Sequence, residues 1–152
     1  MDGPDRLRLL ERAVTASTNS IVITDPSRPD APLVYVNPAF ERTTGYAAEE
    51  ALGRNCRFLQ GEDRDQPALG ELRAAVREER HCTVVLRNYR KNGTLFYNEL
   101  SVYPVRGEND RLRRRGGSWS QLPLFAGRGS EPAGARRAQG RDPRRAALYR
   151  GA

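Results

Sequence analysis

A short polar segment, GRNCRFLQG at residues 53–61, concentrates the side chains that are able to do chemistry in this chain. It holds Asn55, the thiol of Cys56, Arg57 and Gln60. A thiol is reactive as the thiolate, and a neighbouring guanidinium lowers its pKa only where the two side chains approach each other. Cysteine is otherwise a small, buried and inert residue. Spacing alone leaves both interpretations of Cys56 open.

A cationic side chain interrupts the apolar stripe of the longest predicted helix. Leu69, Leu72 and Val76 follow helical spacing, and Arg73 occupies the remaining position of the same stripe. Burying an unpaired charge is costly. Arg73 therefore either extends to the rim of the core, as long cationic side chains often do, or pairs with an anion held inside the fold.

Two amides repeat this pattern on a predicted hairpin. Strand alternation places Asn88 and Asn98 on the same face as the apolar residues of their strands. These apolar residues are Val84, Leu86, Phe96, Leu100 and Val102. A buried asparagine needs partners for its donors and its acceptor. The two amides either bind the edge of a planar heterocycle or bond to each other or to water.

A cavity that gathers a guanidinium, several amides and a thiol among apolar walls suits a particular kind of ligand. Such a ligand carries a phosphate at one end and a hydrogen-bonding ring at the other. The residues alone indicate a nucleotide-like ligand. We find no acid and base pair, metal-ligand cluster or phosphate loop in the sequence, and we expect that the protein is not an enzyme.

The elements that must position these residues can be read from periodicity and turn signals. We predict a helix over 5–14, strands over 20–25 and 33–37, and short helices over 38–45 and 47–53. A longer helix follows over 65–79, with Asp65 as its N-cap. Strands over 81–90 and 94–105 are joined by a turn at Lys91-Asn92-Gly93. This order predicts an α+β fold, an antiparallel sheet with short helices on one face.

The last third of the chain differs in composition from the rest. Residues 1–110 carry 15 basic and 17 acidic residues, a balance of −2, whereas 111–152 carry 11 and 2, a balance of +9. Residues 111–152 contain no Val and no Ile, so we recognise no fifth strand there and expect a disordered tail. We divide the chain into an N-terminal helix (1–18), a domain (19–110) and this tail. We do not expect the basic tail to act as a nucleic-acid arm, because it carries no motif for specific recognition and any such binding would be nonspecific.

Residues 53–61 resemble, position by position, the signature of LOV domains, the flavin-binding branch of the PAS superfamily. The resemblance extends from about Ile21 to Val105, through ITDPSRPDAPLVYVNPAFERTTGY and RNYRKNGTLFYNELSV. It implies a PAS/LOV fold, an FMN cofactor and a role as a blue-light photoreceptor. In this family a cysteine, here Cys56, forms a reversible bond to flavin carbon C4a in blue light while N5 gains a proton.

The resemblance also implies a role for each residue singled out above. Asn55 and Gln60 would contact the polar side of the flavin, and Arg57 and Arg73 would hold its phosphate. Asn88 and Asn98 would bond the pyrimidine edge of the ring. The remaining pocket residues would be Thr24, Leu59, Val76 and Leu100. Because light supplies the driving force, no general base is required, and we expect His81 at the surface and Cys82 in a structural role.

One part of the family pattern is not matched. The last strand of LOV domains carries a motif of the form Phe-x-Gly-x-Gln, and Gln121 lies near it without the preceding glycine spacing. A slipped reading frame near codons 110–116 would explain the change of composition. If the last strand is missing, the alternative function is a PAS-type flavin or redox interaction module with impaired light signalling.

We expect a cytoplasmic protein, because the N-terminus has no apolar signal region and no segment approaches the length of a membrane span. The implied partners are an unidentified downstream signalling protein and, by analogy with PAS modules, a second copy of the chain.

Overall fold

The computed structural model describes residues 3–106 and, as backbone, residues 121–130. The elements are α1 (Gly3–Ala16), β1 (Ser20–Thr24), β2 (Leu33–Val36), α2 (Pro38–Thr44), α3 (Ala48–Ala51), a 3-10 helix (Cys56–Gln60), α4 (Pro67–Arg77), β3 (Cys82–Tyr89), β4 (Leu95–Arg106) and β5 (Gln121–Ser130). The predicted helices and strands up to β4 are confirmed, with ends that differ by at most two residues. The 3-10 helix has no counterpart in the sequence analysis.

The strands form one sheet in the order β2-β1-β5-β4-β3, and neighbouring strands run antiparallel. The last strand in sequence is therefore the central strand in space. The sequence analysis recognises no fifth strand, and its expectation of disorder is wrong for residues 121–130, which pair with both β1 and β4. The expected disorder of 111–120 and 131–152 concerns residues outside the described part of the chain.

The position of β5 explains why its own composition gave no signal. β1 and β4 each present backbone N–H and C=O groups towards the space between them, and these groups require partners. Residues 121–130 supply these partners through backbone groups that residues of almost any type carry. Pro104 and Pro123 face each other where β4 and β5 extend beyond their outer neighbours, which suits residues that lack an N–H donor.

The inner face of the sheet follows the predicted alternation. Buried and exposed residues alternate along β3, and Val84 pairs with Leu100 while Leu86 pairs with Asn98. The buried apolar residues form two clusters. One joins α4 to β3 and β4 through Leu69, Ala75, Cys82, Val84, Leu86 and Val102. The other joins β1 and β2 to the short helices through Val22, Leu33, Phe40, Ala51 and Leu59.

The buried amide of Asn37 connects three elements. Its Oδ1 accepts hydrogen bonds from the backbone N–H of Ile21 at 2.9 Å and of Phe40 at 3.1 Å. Its Nδ2 donates to the carbonyls of Val14 at 3.1 Å and Asn19 at 3.0 Å. Asn37 therefore caps α2 and binds this helix to β1 and to the end of α1.

A second buried amide, that of Gln66, fixes the start of α4 against the edge of the sheet. Gln66 accepts from the backbone N–H of Arg87 at 2.7 Å and donates to the carbonyl of the same residue at 2.9 Å. Gln66 also occupies the N-cap position of α4, so the prediction that Asp65 is the N-cap is wrong by one residue. Its amide supplies β3, an edge strand, with the partner that a further strand would provide.

The N-terminal helix α1 lies outside the domain. None of its residues is buried, and Leu7, Leu9 and Leu10 are each more than half exposed. It therefore contributes little to the core, and Asn37 holds its end at the Val14 carbonyl. Among the described residues, no helix combines the length and apolar character that crossing a membrane requires.

Replacing Asn37 with Ala is expected to lower the free energy of unfolding by about 2–3 kcal/mol, because the Ile21 N–H and the Val14 and Asn19 carbonyls lose their side-chain partner and α2 loses its cap. Urea unfolding measures this loss. Asn92→Ala is the control, since exposed Asn92 accepts a single bond, from Thr94 N–H, and its loss should stay below about 1 kcal/mol. Equal losses in the two variants would contradict the role of Asn37.

Candidate functional site

A cavity of about 540 Å³ lies between the sheet and the helices. This volume is in the range of sites that enclose a small organic ligand. The eleven residues that the sequence analysis selected, which came from separate parts of the chain, all line it: Thr24, Asn55, Cys56, Arg57, Leu59, Gln60, Arg73, Val76, Asn88, Asn98 and Leu100. Residues chosen because they are polar in apolar surroundings, or because they match a family signature, thus meet at one place.

The polar segment 53–61 is bound to β2 at its start. Leu33 donates its backbone N–H to the Arg54 carbonyl at 2.8 Å, and Gly53 donates to the Leu33 carbonyl at 2.9 Å. Gly53 has φ of 82°, a left-handed conformation that glycine adopts without a steric penalty. Asn55 then caps the 3-10 helix, whose first residue is Cys56. This local structure fixes the sulfur at the cavity wall.

The thiol of Cys56 is not activated as a nucleophile. Its burial raises its pKa to about 12, and the opposing effects of a backbone hydrogen bond and the Arg57 charge are smaller. A thiol with this pKa is protonated at neutral pH. The arrangement therefore suits a reaction in which the thiol keeps its proton until a partner becomes reactive.

The loop between β1 and β2 binds two side chains of the segment 53–61, those of Asn55 and Arg57. Asn55 Nδ2 donates to the Asp30 carbonyl at 2.7 Å, and Arg57 forms an ion pair with the Asp30 carboxylate at 2.5 Å. Asp30 and Ala31 have φ of 66° and 42°, in the left-handed region that non-glycine residues seldom adopt. Ala31 itself lines the cavity. The ion pair is exposed, so its contribution is one of position rather than of stability.

The two amides of the hairpin form a bonded pair. Asn98 Nδ2 donates to Asn88 Oδ1 at 3.0 Å, and Asn88 Nδ2 donates to the Arg87 carbonyl at 2.9 Å. One of the two alternatives from the sequence, a bond between the amides, is therefore present. The pair still lies at the cavity wall, so the amides remain able to present donors and acceptors to a ligand.

Positive charge gathers at the opening of the cavity. Arg73 is exposed and also lines the cavity, which corresponds to the extended conformation that the sequence allowed. Arg57, Arg64 and Arg77 are likewise exposed lining residues, and no carboxylate is among the described residues of the wall. Arrays of guanidinium groups bind phosphate well.

Sequence reasoning missed several wall residues. Arg77 follows Arg73 at i+4 and could have been found from helical spacing. Arg64 lies in a loop, where no periodicity applies. Ser20 also lines the cavity, and its buried Oγ has no hydrogen-bond partner among the described residues. An unsatisfied buried hydroxyl beside a cavity of this size indicates that the wall is built for a ligand with polar atoms.

The register of β5 changes the interpretation of the last family motif. Gln121 pairs with Arg106 at the far end of the strand, away from the rows that line the cavity. Phe125-Ala126-Gly127-Arg128-Gly129 instead matches the spacing Phe-x-Gly-x-Gln in its first two defined positions. Gly129 stands at the glutamine position, opposite Asn98. The strand is present, and the glutamine is not.

Comparison with known proteins gives a consistent set of similarities. A family model described as a PAS domain matches residues 18–117. A blue-light photoreceptor of Listeria innocua is 42% identical over 112 residues, which are 74% of this chain and 44% of that protein. Blue-light-activated histidine kinase 1 of Erythrobacter litoralis is 45% identical over 125 residues, 82% of this chain and 35% of the kinase. The chain thus spans less than half the length of these curated relatives.

Among solved structures, the fold is similar to an isolated LOV domain from a blue-light activated histidine kinase of Erythrobacter litoralis. The TM-score is 0.65 at 34% sequence identity, and the match covers 75% of this chain and 97% of that domain. The similarity therefore includes nearly the whole of a solved single domain.

The raised pKa of Cys56 predicts slow alkylation. At pH 8 its thiolate fraction should be about a thousandfold below that of an ordinary cysteine, and iodoacetamide labelling at least ~100-fold slower. Mass spectrometry of the Cys82→Ser variant measures Cys56 alone, and the same protein unfolded in urea is the control. Labelling of the folded protein at the unfolded rate would contradict the environment described for Cys56.

Proposed function

Because this chain belongs to the LOV branch of the PAS domain family, we propose that it is a blue-light-sensing module that holds FMN in the cavity beside Cys56. The observation that carries the proposal is the meeting of all eleven selected side chains around one cavity. The size of the cavity, its apolar walls and its unsatisfied Ser20 hydroxyl fit a flavin ring.

Each group of wall residues has a task in this proposal. The amides of Asn88 and Asn98 hold the pyrimidine edge of the ring, and Asn55 and Gln60 contact the polar chain that leads to the phosphate. Thr24, Leu59, Val76 and Leu100 exclude water from the ring. Because these groups come from both the sheet and the helices, a bound flavin would join the two layers.

Cys56 performs the chemistry. Flavin supplies absorption of blue light and, once excited, a ring carbon that accepts a sulfur. The thiol carries its own proton because burial raises its pKa, so both the sulfur and the proton come from one side chain. The chain needs no separate general base, and the only histidine, His81, is exposed and stacked on Tyr103.

The arginines favour FMN over unphosphorylated riboflavin. In this proposal Arg57 and Arg73 pair with the phosphate, and Arg64 and Arg77 add to the positive potential; the support is that all four are exposed and line the cavity. Charge-assisted hydrogen bonds from guanidinium to phosphate are among the stronger ones in proteins. The ion pair with Asp30 restricts the position of the Arg57 guanidinium before a phosphate binds.

A second candidate function is a flavin or redox interaction module that signals weakly in response to light. Its original basis, a missing last strand, is overturned by β5. Gly129 supports this candidate instead. It stands at the glutamine position of the motif and has no side chain that could change its hydrogen bonding when the ring does. In either case we expect the output to reach a downstream signalling protein or a second copy of the chain.

The light response should depend on the thiol of Cys56 and not on that of Cys82. After reconstitution with FMN, the blue absorption band of the protein should bleach under blue light and recover in the dark. Cys56→Ala should keep the flavin and lose the bleaching, because the sulfur that bonds to the ring is absent. Cys82→Ala is the matched control, since the Cys82 thiol lies in the cluster of α4, β3 and β4, and its bleaching should be unchanged.

Two other outcomes separate the candidates. Bound flavin that does not bleach in the unmodified protein would favour the interaction module. Failure to take up flavin would overturn both functions.

The preference for FMN should depend on Arg73. Arg73→Gln should weaken FMN binding by about ten- to a hundredfold, the range for losing a charged hydrogen bond, and leave riboflavin binding nearly unchanged. Titration of flavin fluorescence measures both constants. Arg42→Gln, an exposed arginine of α2 outside the cavity wall, is the control. An equal loss for the two flavins would contradict phosphate binding by Arg73.

A further inference from the structure

The hydroxyl of Ser20 is the one polar side-chain atom that is buried without a partner in the described part of the chain. Ser20 opens β1 and lines the cavity, and none of the residue roles assigned above involves it. A buried hydroxyl gives up its bonds to water, so leaving it without a partner is costly. Such a group is expected where a ligand completes the bonding.

The register of the sheet places Ser20 next to a gap on the inner face. Ser20 pairs with Gly127 of β5, and Gly127 pairs with Leu100 of β4. Gly127 has no side chain, and neither has Gly129, the next residue of β5 with the same orientation. A planar ring on this face would therefore lie against the backbone of β5. Ser20 of β1 and Leu100 of β4 lie on either side of that strand.

The chemistry of the ring then limits what Ser20 can bind. In the proposed function, Asn88 and Asn98 take the pyrimidine edge and the arginines take the phosphate. The dimethylbenzene end of a flavin is apolar and offers nothing to a hydroxyl. Apart from N1, which lies on the side of the polar chain, the polar atoms that remain are N5 and the carbonyl oxygen O4 at the corner of the pyrimidine edge, beside the carbon to which the Cys56 sulfur would bond.

We propose that the Ser20 hydroxyl is a ligand of the flavin at its N5 and O4 edge. In this role, β1 supplies the hydrogen bond that the glycine positions of β5 cannot supply. A hydroxyl is both donor and acceptor, so it donates to N5 while N5 is unprotonated and accepts once N5 carries a proton. This inference rests on the proposed function.

The test compares Ser20→Ala with Ser101→Ala. Ser101 is also a serine of the sheet, but its hydroxyl bonds to Thr83 at 2.9 Å on the outer face. Ser20→Ala should raise the FMN dissociation constant about fivefold, the factor that one net hydrogen bond represents. It should also shift the C4=O or C4a=N5 stretch of bound FMN in the infrared spectrum. Ser101→Ala should change neither quantity.

The flavin-free protein supplies a second readout. Ser20→Ala removes a buried hydroxyl that lacks a partner, so the apoprotein Tm should stay equal or rise by about 2–5 °C. Ser101→Ala loses the bond to Thr83, and its apoprotein Tm should fall slightly. Weaker FMN binding without a loss of apoprotein stability is a signature that a structural role for Ser20 would not produce.

Three results would overturn the inference. A Ser20→Ala variant with unchanged FMN affinity and unchanged infrared bands shows that the hydroxyl does not contact the ring. A variant that loses apoprotein stability together with affinity shows a structural role. If the unmodified protein fails to bind FMN, both this inference and the proposed function fail, which distinguishes that case from the other two.

Discussion

Hydrogen bonds from buried side-chain amides to the backbone hold the helices on the sheet, and the cavity depends on them. The described part of the chain keeps an internal volume of about 540 Å³ between the sheet and the helices. Its buried apolar residues form two clusters, and members of both, such as Leu69 and Phe40, line the cavity between them. Each cluster packs helices onto one part of the sheet. Asn37 and Gln66 add directional bonds from the starts of α2 and α4 to the backbone of the sheet.

Features that depend on neighbouring residues were predictable from the sequence, and features that depend on distant contacts were not. Local signals such as Pro38 at the start of α2, Gly45 after it and the Asn92-Gly93 turn act within a few residues, and the structure confirms them. β5 was not recognised because one of its two partner strands, β1, lies about a hundred residues away, and because its pairing uses the backbone. The N-cap of α4 was misplaced because Gln66 is held by β3, a contact that neighbouring residues do not reveal.

For the site, the sequence identified side chains whose chemistry conflicts with their position in an apolar pattern. This conflict is visible at Arg73, Asn88 and Asn98, and all three line the cavity. It is invisible at Ser20, because a small hydroxyl at the start of a strand is unremarkable until its surroundings are known. It is also invisible for the loop at Asp30, whose left-handed backbone and contact with Arg57 arise only after the chain folds.

The order of the strands has a consequence for how the protein is made. A ribosome releases β1, β2, β3 and β4 before the strand that joins them, because β5 is the last strand in sequence and the middle one in the sheet. Until Ser130 has emerged, β1 and β4 have no common neighbour, and the two apolar clusters belong to separate halves. Closing contacts of such long sequence separation is intrinsically slow. The central strand of the sheet is therefore the last one that synthesis supplies, and the two halves of the sheet are joined only when it is in place.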